Sequence, residues 1–327
     1  MKVDRGFNLY VDVTASCNAA CPFCIAPTIG RSNDGDFLQG LRWALDFTQN
    51  NYGSVQVTGG EPTLSVRLPK VILEIRERMF HRVVLNTNGT GIKEPSLVID
   101  LQASGFTHVN LSRHHYNEIK NQEIMRFHRA SDASTGAFIR AVELVCQSGM
   151  VPRINCNLLR GYIDSIEEIG YFAIWCENLG VRKIAFSETF HLDMYDHQLP
   201  IVPGYAEDRS FLLGPLVKDM DSTFEPVRKS VSECMATWGQ STWISSFVVG
   251  GHRRFWKGPK DVEISIKTMA GWNSDGTPKP PSYSKADDPE LREGELYFAV
   301  VHPDGVVSAS WDKRERVMFE PVVASVR

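Results

Sequence analysis

The stretch NLYVDVTASCNAACPFC, residues 8–24, joins an apolar strand pattern to three closely spaced cysteines. Cys17, Cys21 and Cys24 have the spacing C-x3-C-x2-C. Three thiolates can bind three irons of a four-iron, four-sulfur cluster and leave the fourth iron open, whereas a cluster that only transfers electrons normally has four protein thiolates. An open iron can bind a small molecule and pass an electron to it. The spacing therefore predicts a single [4Fe-4S] cluster at which chemistry takes place.

Zinc is the main alternative ligand for such a cysteine group. A structural zinc site requires a fourth ligand, such as a second C-x2-C pair or two spaced histidines. The remaining cysteines stand singly along the chain, at Cys146, Cys156, Cys176 and Cys234. The sequence thus favours an iron–sulfur cluster over zinc.

A second motif follows the strand-like run GSVQV at residues 53–57. The next five residues, 58–62, read TGGEP. Adjacent glycines let the backbone approach a ligand closely, so this segment is a candidate contact for a molecule bound near the cysteines. An ordinary turn is the alternative interpretation of the motif when it is considered alone.

Together, the two motifs resemble the signatures of the radical S-adenosylmethionine (SAM) superfamily. That family has the cysteine pattern C-x3-C-x-aromatic-C, with Phe23 as the aromatic residue here, and a GGEP motif that matches Gly59, Gly60, Glu61 and Pro62. The resemblance implies that SAM binds the open iron and that one electron breaks a carbon–sulfur bond of SAM. It also implies that the released 5′-deoxyadenosyl radical abstracts hydrogen from a substrate.

Polar residues at the ends of later strand patterns extend the resemblance. In the nucleotide-acting branch, which includes the GTP cyclase of molybdopterin synthesis and the antiviral CTP dehydratase, a serine and an arginine at similar spacing contact SAM. The candidate SAM-binding residues outside the GGEP motif are Phe23, Thr87, Asn88, Ser112, Arg126 and Asn155.

Structural alternatives remain for several of these candidates. Thr87 and Asn88 also fit a strand-to-helix turn, because asparagine often forms local hydrogen bonds there. Arg126 also fits a solvated charge on a helix. Asn155 also fits a strand residue bonded to neighbouring backbone.

Strand-like and helix-like segments alternate in six steps up to about Glu188. Such alternation predicts parallel strands joined by crossover helices. A full eight-fold barrel takes around 250 residues, so we expect an α/β fold with a partial, open (β/α)6 barrel over residues 1–200. The family resemblance implies the same architecture. Residues 201–327 are predicted to form an α+β extension that covers the substrate side.

Three features of the last third carry specific expectations. The segment KGPKDVEI, residues 257–264, is predicted to be a loop because glycine, proline and aspartate favour turns. ELYFAVVHPDGVVSASW, residues 295–311, is predicted to be a strand pair around a Pro-Asp-Gly turn. Only Cys234 lies beyond residue 200, so we expect no auxiliary cluster of the kind found in the GTP cyclase and in peptide-modifying branches.

Candidate catalytic residues are His114, His115 and Glu188, which follow predicted strands. Histidines titrate near neutrality and can bond phosphates, sugars or a departing hydroxyl. Consecutive residues of an extended segment point in different directions, so one of the two histidines is expected to be structural. An ion pair with a lysine or arginine is the alternative for Glu188.

Composition restricts the partners. A net charge of −4 over 327 residues gives no basic footprint for nucleic acid, although it leaves room for a local basic pocket. No secretory signal pattern and no run of about 18 apolar residues is evident, so we expect no membrane partner. Cysteines needed as thiolates favour a reducing compartment, and the chain is predicted to be cytoplasmic.

The functional hypothesis is a single-cluster radical SAM enzyme. Its expected partners are a small polar substrate, such as a nucleotide, nucleoside or sugar derivative, and an electron donor such as flavodoxin or ferredoxin. Modification of a peptide or protein, including activation of a glycyl-radical enzyme, is a second hypothesis. An iron–sulfur electron carrier or redox sensor is a third.

Replacing Cys17, Cys21 or Cys24 by alanine is expected to abolish or destabilise the cluster, because each thiolate would bind its own iron. The visible absorbance and iron content of anaerobically reconstituted protein measure this. Intact four-iron clusters in all three variants would contradict the assignment.

Overall fold

The structure is a computed structural model that describes residues 2–24, 36–189, 205–227, 253–268, 295–310 and 316–321. Six parallel strands form its centre, each strand pairing with the next in chain order. These strands are β1 (Lys2–Asp12), β2 (Ser54–Thr58), β3 (Val83–Thr87), β4 (His108–Ser112), β5 (Val151–Asn157) and β6 (Lys183–Ser187).

Helices connect these strands, as parallel pairing requires. They are α1 (Phe37–Asn50), α2 (Leu68–Arg76), α3 (Pro95–Ala103), α4 (Glu118–Met125), α5 (Thr135–Gln147) and α6 (Ile166–Asn178). Four of them begin at side-chain caps: Asp36, Asn117, Ser134 and Ser165 each accept a hydrogen bond from a backbone N–H in the first turn. The predicted alternation over six strand–helix steps is confirmed.

The last third of the chain adds strands to both edges of this sheet. Its elements are α7 (Tyr205–Arg209), α8 (Leu213–Thr223), β7 (Glu225–Val227), β8 (Arg253–Lys257), β9 (Glu263–Lys267), β10 (Glu295–Val301), β11 (Val307–Ser308) and β12 (Val317–Phe319). β10 lies parallel to β1, and β9 lies parallel to β6. The outer strands β12 and β7 do not pair with each other in the described ranges, so the α/β barrel is partial and open.

One local prediction in this region is wrong. Residues 257–264 were expected to form a loop, but they contain the end of β8, a short 3-10 turn at Pro259–Asp261 and the start of β9. The glycine and proline mark only the tight turn between two antiparallel strands. The strand pair β10–β11 around the Pro-Asp-Gly turn is confirmed.

The two faces of the sheet differ in chemistry. Leu9, Val11, Val55 and Val57 are fully buried and belong to one apolar cluster with helix residues such as Leu41. Full burial of each such side chain is worth about 1.5–3 kcal/mol. Alternate residues on the same strands are polar and form a hydrogen-bonded row on the concave face. The apolar face therefore holds the helices, while the concave face offers polar groups.

A close contact joins the C-terminal hairpin to α1. A Cβ added at Gly40 would lie 1.9 Å from the carbonyl oxygen of Gly305, which has a φ of +89°. The turn before β11 therefore rests on the backbone of the first helix. None of the helices in the described ranges is both long and apolar enough to cross a membrane.

Gly40→Ala is expected to lower the free energy of unfolding by about 1–3 kcal/mol, because the methyl group would displace the Gly305 backbone. Gly170→Ala is the matched control, since a Cβ there meets no atom within 4 Å beyond its own helix. The control is expected to raise stability by about 0.5–1 kcal/mol. Urea unfolding followed by circular dichroism measures both, and equal shifts in the same direction would contradict the contact.

Candidate active site

The cysteine loop, residues 17–24, is held by the end of α4. Ala19 forms an antiparallel bridge with Phe127, and the Ala20 N–H donates to the carbonyl oxygen of Arg126 over 3.1 Å. The Cys21 thiol lies 3.4 Å from the carbonyl oxygen of Met125. Within the loop, the Cys24 N–H donates to the carbonyl oxygen of Cys21 over 3.0 Å. The loop thus has a defined conformation set by a helix about 100 residues later.

The thiols of this loop are electrostatically coupled. Burial raises the pKa of Cys17 to about 11, and a nearby Cys24 thiolate adds to the rise. Burial raises the pKa of Cys21 further, while the charge of Arg126 opposes that rise. A metal cation that binds such thiols displaces their protons. Such a donor set fits iron.

No group of three metal-ligating side chains converges on a single ion site within the described residues. Thiolates of a four-iron cluster each bind a separate iron, so they need not converge on one point. The assignment of Cys17, Cys21 and Cys24 as cluster ligands stays a prediction.

Gly59 and Gly60 pack against the backbone that leads into the cysteine loop. The Gly60 N–H donates to the carbonyl oxygen of Thr14 over 2.7 Å. A Cβ at Gly60 would lie 2.1 Å from the carbonyl oxygen of Ser16, and Gly59 has a φ of +143°. The glycine pair therefore allows a close backbone contact between two strand ends. The sequence predicted that these glycines would let the backbone approach a ligand. In the structure they let it approach another part of the protein backbone.

The Glu61 carboxylate is buried, and both of its oxygens accept hydrogen bonds from the protein. Oε1 accepts from the Thr63 N–H over 3.0 Å and from the Thr63 and Thr87 hydroxyls. Oε2 accepts from the Asn88 N–H over 2.6 Å. Burial raises the pKa of Glu61, and these donors oppose the rise. Glu61 thus joins the ends of β2 and β3, and Pro62 starts the short 3-10 turn that follows it.

In this arrangement the two predicted SAM contacts Thr87 and Asn88 form hydrogen bonds within the protein. The Thr87 hydroxyl donates to Glu61 and accepts from the Gly89 N–H, so its proton is committed within the protein. The side-chain Oδ1 of Asn88 accepts from the Thr90 N–H over 3.0 Å. The turn interpretation of these two residues therefore describes the bonds they make.

Asn18 forms a polar network that sequence reasoning missed. Its Nδ2 donates to the Thr90 hydroxyl over 3.0 Å and to Asp132 Oδ2 over 2.9 Å. Its Oδ1 accepts from Asn88 Nδ2 over 2.9 Å. The network ties the residue after Cys17 to the turn after β3. The position of Asn18 inside the cysteine motif is the one signal that points to it.

Phe23 and His114 contact each other beside the cysteine loop. Their ring centroids lie 4.9 Å apart in an edge-to-face arrangement. The Asn157 N–H donates to His114 Nδ1 over 2.9 Å, which places the imidazole proton on Nε2. Burial, with a contribution from Arg113, lowers the pKa of His114 to about 3. His114 is therefore neutral and held as an Nε2–H tautomer.

His115 lies on a different side of its segment. The Asn117 N–H donates to its Nδ1, and its Nε2 lies 3.7 Å from Glu168 Oε2 on α6. It also packs against Tyr116, with ring centroids 4.4 Å apart. Burial lowers the pKa of His115 to about 4. These contacts tie His115 to its own segment and to α6, and the expectation that one of the two histidines is structural stays a prediction.

The other candidate residues occupy neighbouring strand ends. Ser112 and Asn155 are register partners on β4 and β5, and Asn155 Oδ1 accepts from Arg153 Nε over 3.0 Å. Glu188 follows β6, and its N–H donates to the carbonyl oxygen of Lys267 on β9. The structure leaves their roles toward a ligand as predictions.

Arg126 ends α4 in a left-handed conformation with a φ of 51°. Its side chain is exposed, and its guanidinium lies 5.9 Å from the ring centre of Tyr205. It is close enough to Cys21 to oppose the rise in the pKa of that thiol. The guanidinium is thus near the cysteine loop, as the sequence hypothesis requires. Cys234 lies outside the described residues.

Two cavities flank the Asn18 network. One, of about 360 Å³, is bordered by Cys17, Asn18, Glu61 and Arg129. The other, of about 260 Å³, is bordered by Ser112 at the end of β4 and by residues of α5. Thr90, Lys93 and Asp132 border both cavities. The site therefore offers space for small ligands next to the cysteine loop and the strand ends.

Comparisons with known proteins match the part of the chain that contains these residues. The sequence model of the radical SAM superfamily matches residues 11–173. A probable GTP 3′,8-cyclase of Archaeoglobus fulgidus is 28% identical over 162 residues, which are 48% of this chain and 51% of that protein. The GTP 3′,8-cyclase of Aquifex aeolicus is 28% identical over 200 residues, with 58% and 59% covered. The chain thus spans between half and three-fifths of the length of these relatives.

A solved structure extends the likeness of fold. The crystal structure of Streptococcus suis SuiB bound to S-adenosylmethionine matches with a TM-score of 0.59 and 16% sequence identity. The match covers 93% of this chain and 60% of SuiB. At this identity the likeness concerns the fold alone.

His114→Gln is expected to reduce the pH dependence of stability. With a folded pKa of about 3, His114 binds fewer protons in the folded than in the unfolded state between that pH and its ordinary value of 6.5. Folding is therefore destabilised as the pH falls through this window, by up to about 1.4 kcal/mol per pH unit. Glutamine can still accept from the Asn157 N–H but does not titrate. Urea unfolding at about pH 7 and about pH 5 measures the slope, and an unchanged slope would contradict the buried neutral imidazole.

Proposed function

The chain belongs to the radical SAM superfamily, whose domain it carries, and we propose that it is a radical SAM enzyme acting on a nucleotide, nucleoside or sugar derivative. The observation that carries the proposal is the cysteine loop with C-x3-C-x2-C spacing, anchored beside the Gly59–Gly60 pair at the carboxyl ends of parallel strands. Ligands of open α/β sheets bind at this edge.

Cys17, Cys21 and Cys24 would hold a [4Fe-4S] cluster, because three thiolates leave one iron for SAM. When bound, the cluster supplies the electron that cleaves SAM into methionine and the 5′-deoxyadenosyl radical that abstracts hydrogen. The remaining tasks of the chain are to hold SAM in one orientation and to exclude competing reactions.

Several residues support SAM binding in this proposal. Arg126 offers a guanidinium near Cys21, and guanidinium groups bind carboxylates through two parallel hydrogen bonds. Ser112 and Asn155 offer a hydroxyl and an amide on adjacent strands. Phe23 packs on His114 and holds the loop against the strand ends. Glu61, Thr87 and Asn88 act as positioning residues, since their side chains bond mainly to each other and to nearby turns.

Residue chemistry and relatives support a small polar substrate. The relatives named GTP 3′,8-cyclase act on a nucleotide, and the concave face of the barrel presents amides, hydroxyls and Arg153. His114 would face the site as a neutral donor, and Glu188 is the candidate acid or base at the end of β6. An external electron donor such as flavodoxin or ferredoxin would reduce the cluster. A cytoplasmic location would keep the thiols reduced.

The test is anaerobic reconstitution with iron and sulfide, reduction with dithionite in the presence of SAM, and mass spectrometry for 5′-deoxyadenosine. Release of 5′-deoxyadenosine is expected, with stimulation by one of a panel of nucleotides and sugars. The Cys17→Ala variant is the control that should release none. A well-formed cluster that yields no 5′-deoxyadenosine under any condition would contradict the proposal and favour an electron carrier or sensor.

A further inference from the structure

A row of polar side chains crosses the concave face of the sheet from β1 to β4. Gln56 Nε2 donates to Asn8 Oδ1 over 3.2 Å, and Asn86 Nδ2 donates to Gln56 Oε1 over 3.4 Å. Asn110 Nδ2 then donates to Asn86 Oδ1 over 2.6 Å. Ser54 closes the far end by donating to Asn8 Oδ1 over 2.8 Å. Four adjacent strands thus each contribute one amide, and the amides of β2, β3 and β4 each donate to the amide of the preceding strand.

Such a row is unusual for a barrel interior, where layers of branched apolar side chains normally fill the space. Asn8 and Asn110 are fully buried, and Gln56 is 3% exposed. Burying an amide is unfavourable unless its hydrogen bonds are made. The hydrogen bonds within the row meet this requirement for the atoms that make them.

The last residue of the row, Asn110, has a side-chain oxygen that accepts no hydrogen bond from the described residues. Asn110 Oδ1 is buried and has no hydrogen-bond partner among the residues that the structure describes. Its Nδ2 is taken by Asn86 on β3, and the neighbour of β4 on the other side is β5. The register partner of Asn110 on that strand is Arg153, whose Nε is bonded to Asn155. A buried acceptor without a donor is unfavourable and calls for a missing partner.

The position of this acceptor relates it to the proposed active site. Asn110 precedes Ser112 by two residues on β4, so both side chains lie on the same face. Two residues of a strand correspond to about 6.6 Å. The acceptor therefore lies one step below the strand ends where SAM would bind, on the floor of the open barrel.

We propose that Asn110 Oδ1 is a substrate subsite that accepts a hydrogen bond from a hydroxyl or N–H group of the nucleoside or sugar substrate. The row from Asn8 to Asn86 fixes the orientation of the Asn110 amide, so that its oxygen and not its nitrogen faces the ligand. This inference rests on the proposed function and adds the substrate group that the barrel floor recognises.

Binding of nucleoside triphosphates to reconstituted, SAM-loaded protein tests the subsite. GTP, CTP, ATP and UTP are titrated by calorimetry under anaerobic conditions, and the tightest binder is compared with its 2′-deoxy and 3′-deoxy analogues; inosine triphosphate serves as the amine-lacking analogue of GTP. One analogue is expected to bind wild-type protein at least about tenfold more weakly, because it leaves Asn110 Oδ1 unpaired. The analogue that does so distinguishes a ribose hydroxyl from a base amino group.

The variant Asn110→Leu has nearly the same shape but no acceptor. It is expected to bind the parent nucleotide at least about tenfold more weakly and to lose the discrimination against the analogue. Ser54→Ala is the matched control, because it removes a hydrogen bond at the other end of the same row and should keep the discrimination. SAM-dependent release of 5′-deoxyadenosine without substrate should persist in Ser54→Ala, so this readout tests the proposed function separately.

Three outcomes would overturn the subsite. One is a wild-type protein that binds a nucleotide but discriminates against no analogue, a result that does not depend on the folding of any variant. The second is an Asn110→Leu protein that keeps the discrimination. The third is a loss of SAM affinity in Asn110→Leu without a loss of nucleotide affinity, which would assign the acceptor to SAM. If no nucleotide binds while 5′-deoxyadenosine is still released, the substrate class and the subsite both fail and the radical chemistry stands.

Discussion

The buried carboxylate of Glu61 is the interaction on which the site depends. Its two oxygens receive hydrogen bonds from the turn after β2 and from the end of β3. On the other side, the Glu61 N–H donates to the carbonyl oxygen of Ser16, just before the first cysteine. One residue therefore fixes three strand ends relative to each other. The cysteine loop forms no helix or ladder strand of its own, so its geometry comes from such contacts.

The helix α4 supplies the second support for the loop. Its last carbonyl groups accept from the Ala20 N–H, and the left-handed Arg126 turns the chain so that Phe127 can pair with Ala19. The same helix reaches His114, because Asn121 Oδ1 accepts from the His114 N–H over 2.9 Å. The cysteine loop and the histidine that touches Phe23 are thus positioned by one element.

Sequence patterns could predict the core of this fold because its strands are short apolar runs that alternate with amphipathic helices. They also indicated the cysteine loop, the glycine pair and the Pro-Asp-Gly turn, since each depends on residue types with few other uses. They could not show that the Glu61 oxygens are occupied, because the donors at Thr87 and Asn88 lie 26 and 27 residues later. Asn18 and Asp132 were missed for the same reason, as they are 114 residues apart. β8 and β9 were missed because the glycine and proline between them indicate a loop. Strands of only five residues give too short a pattern to oppose that indication.

The order of the strands has a consequence for biosynthesis. β1 pairs with β10, so Leu9 has Ala299 as its register partner across almost the whole chain. A ribosome completes the six central strands long before it releases β9 and β10, and both edges of the nascent sheet lack their final neighbours in the meantime. Open strand edges are templates for wrong pairing, and contacts between distant residues form slowly. The fold therefore requires that these strand edges be protected from wrong pairing while the chain is being translated.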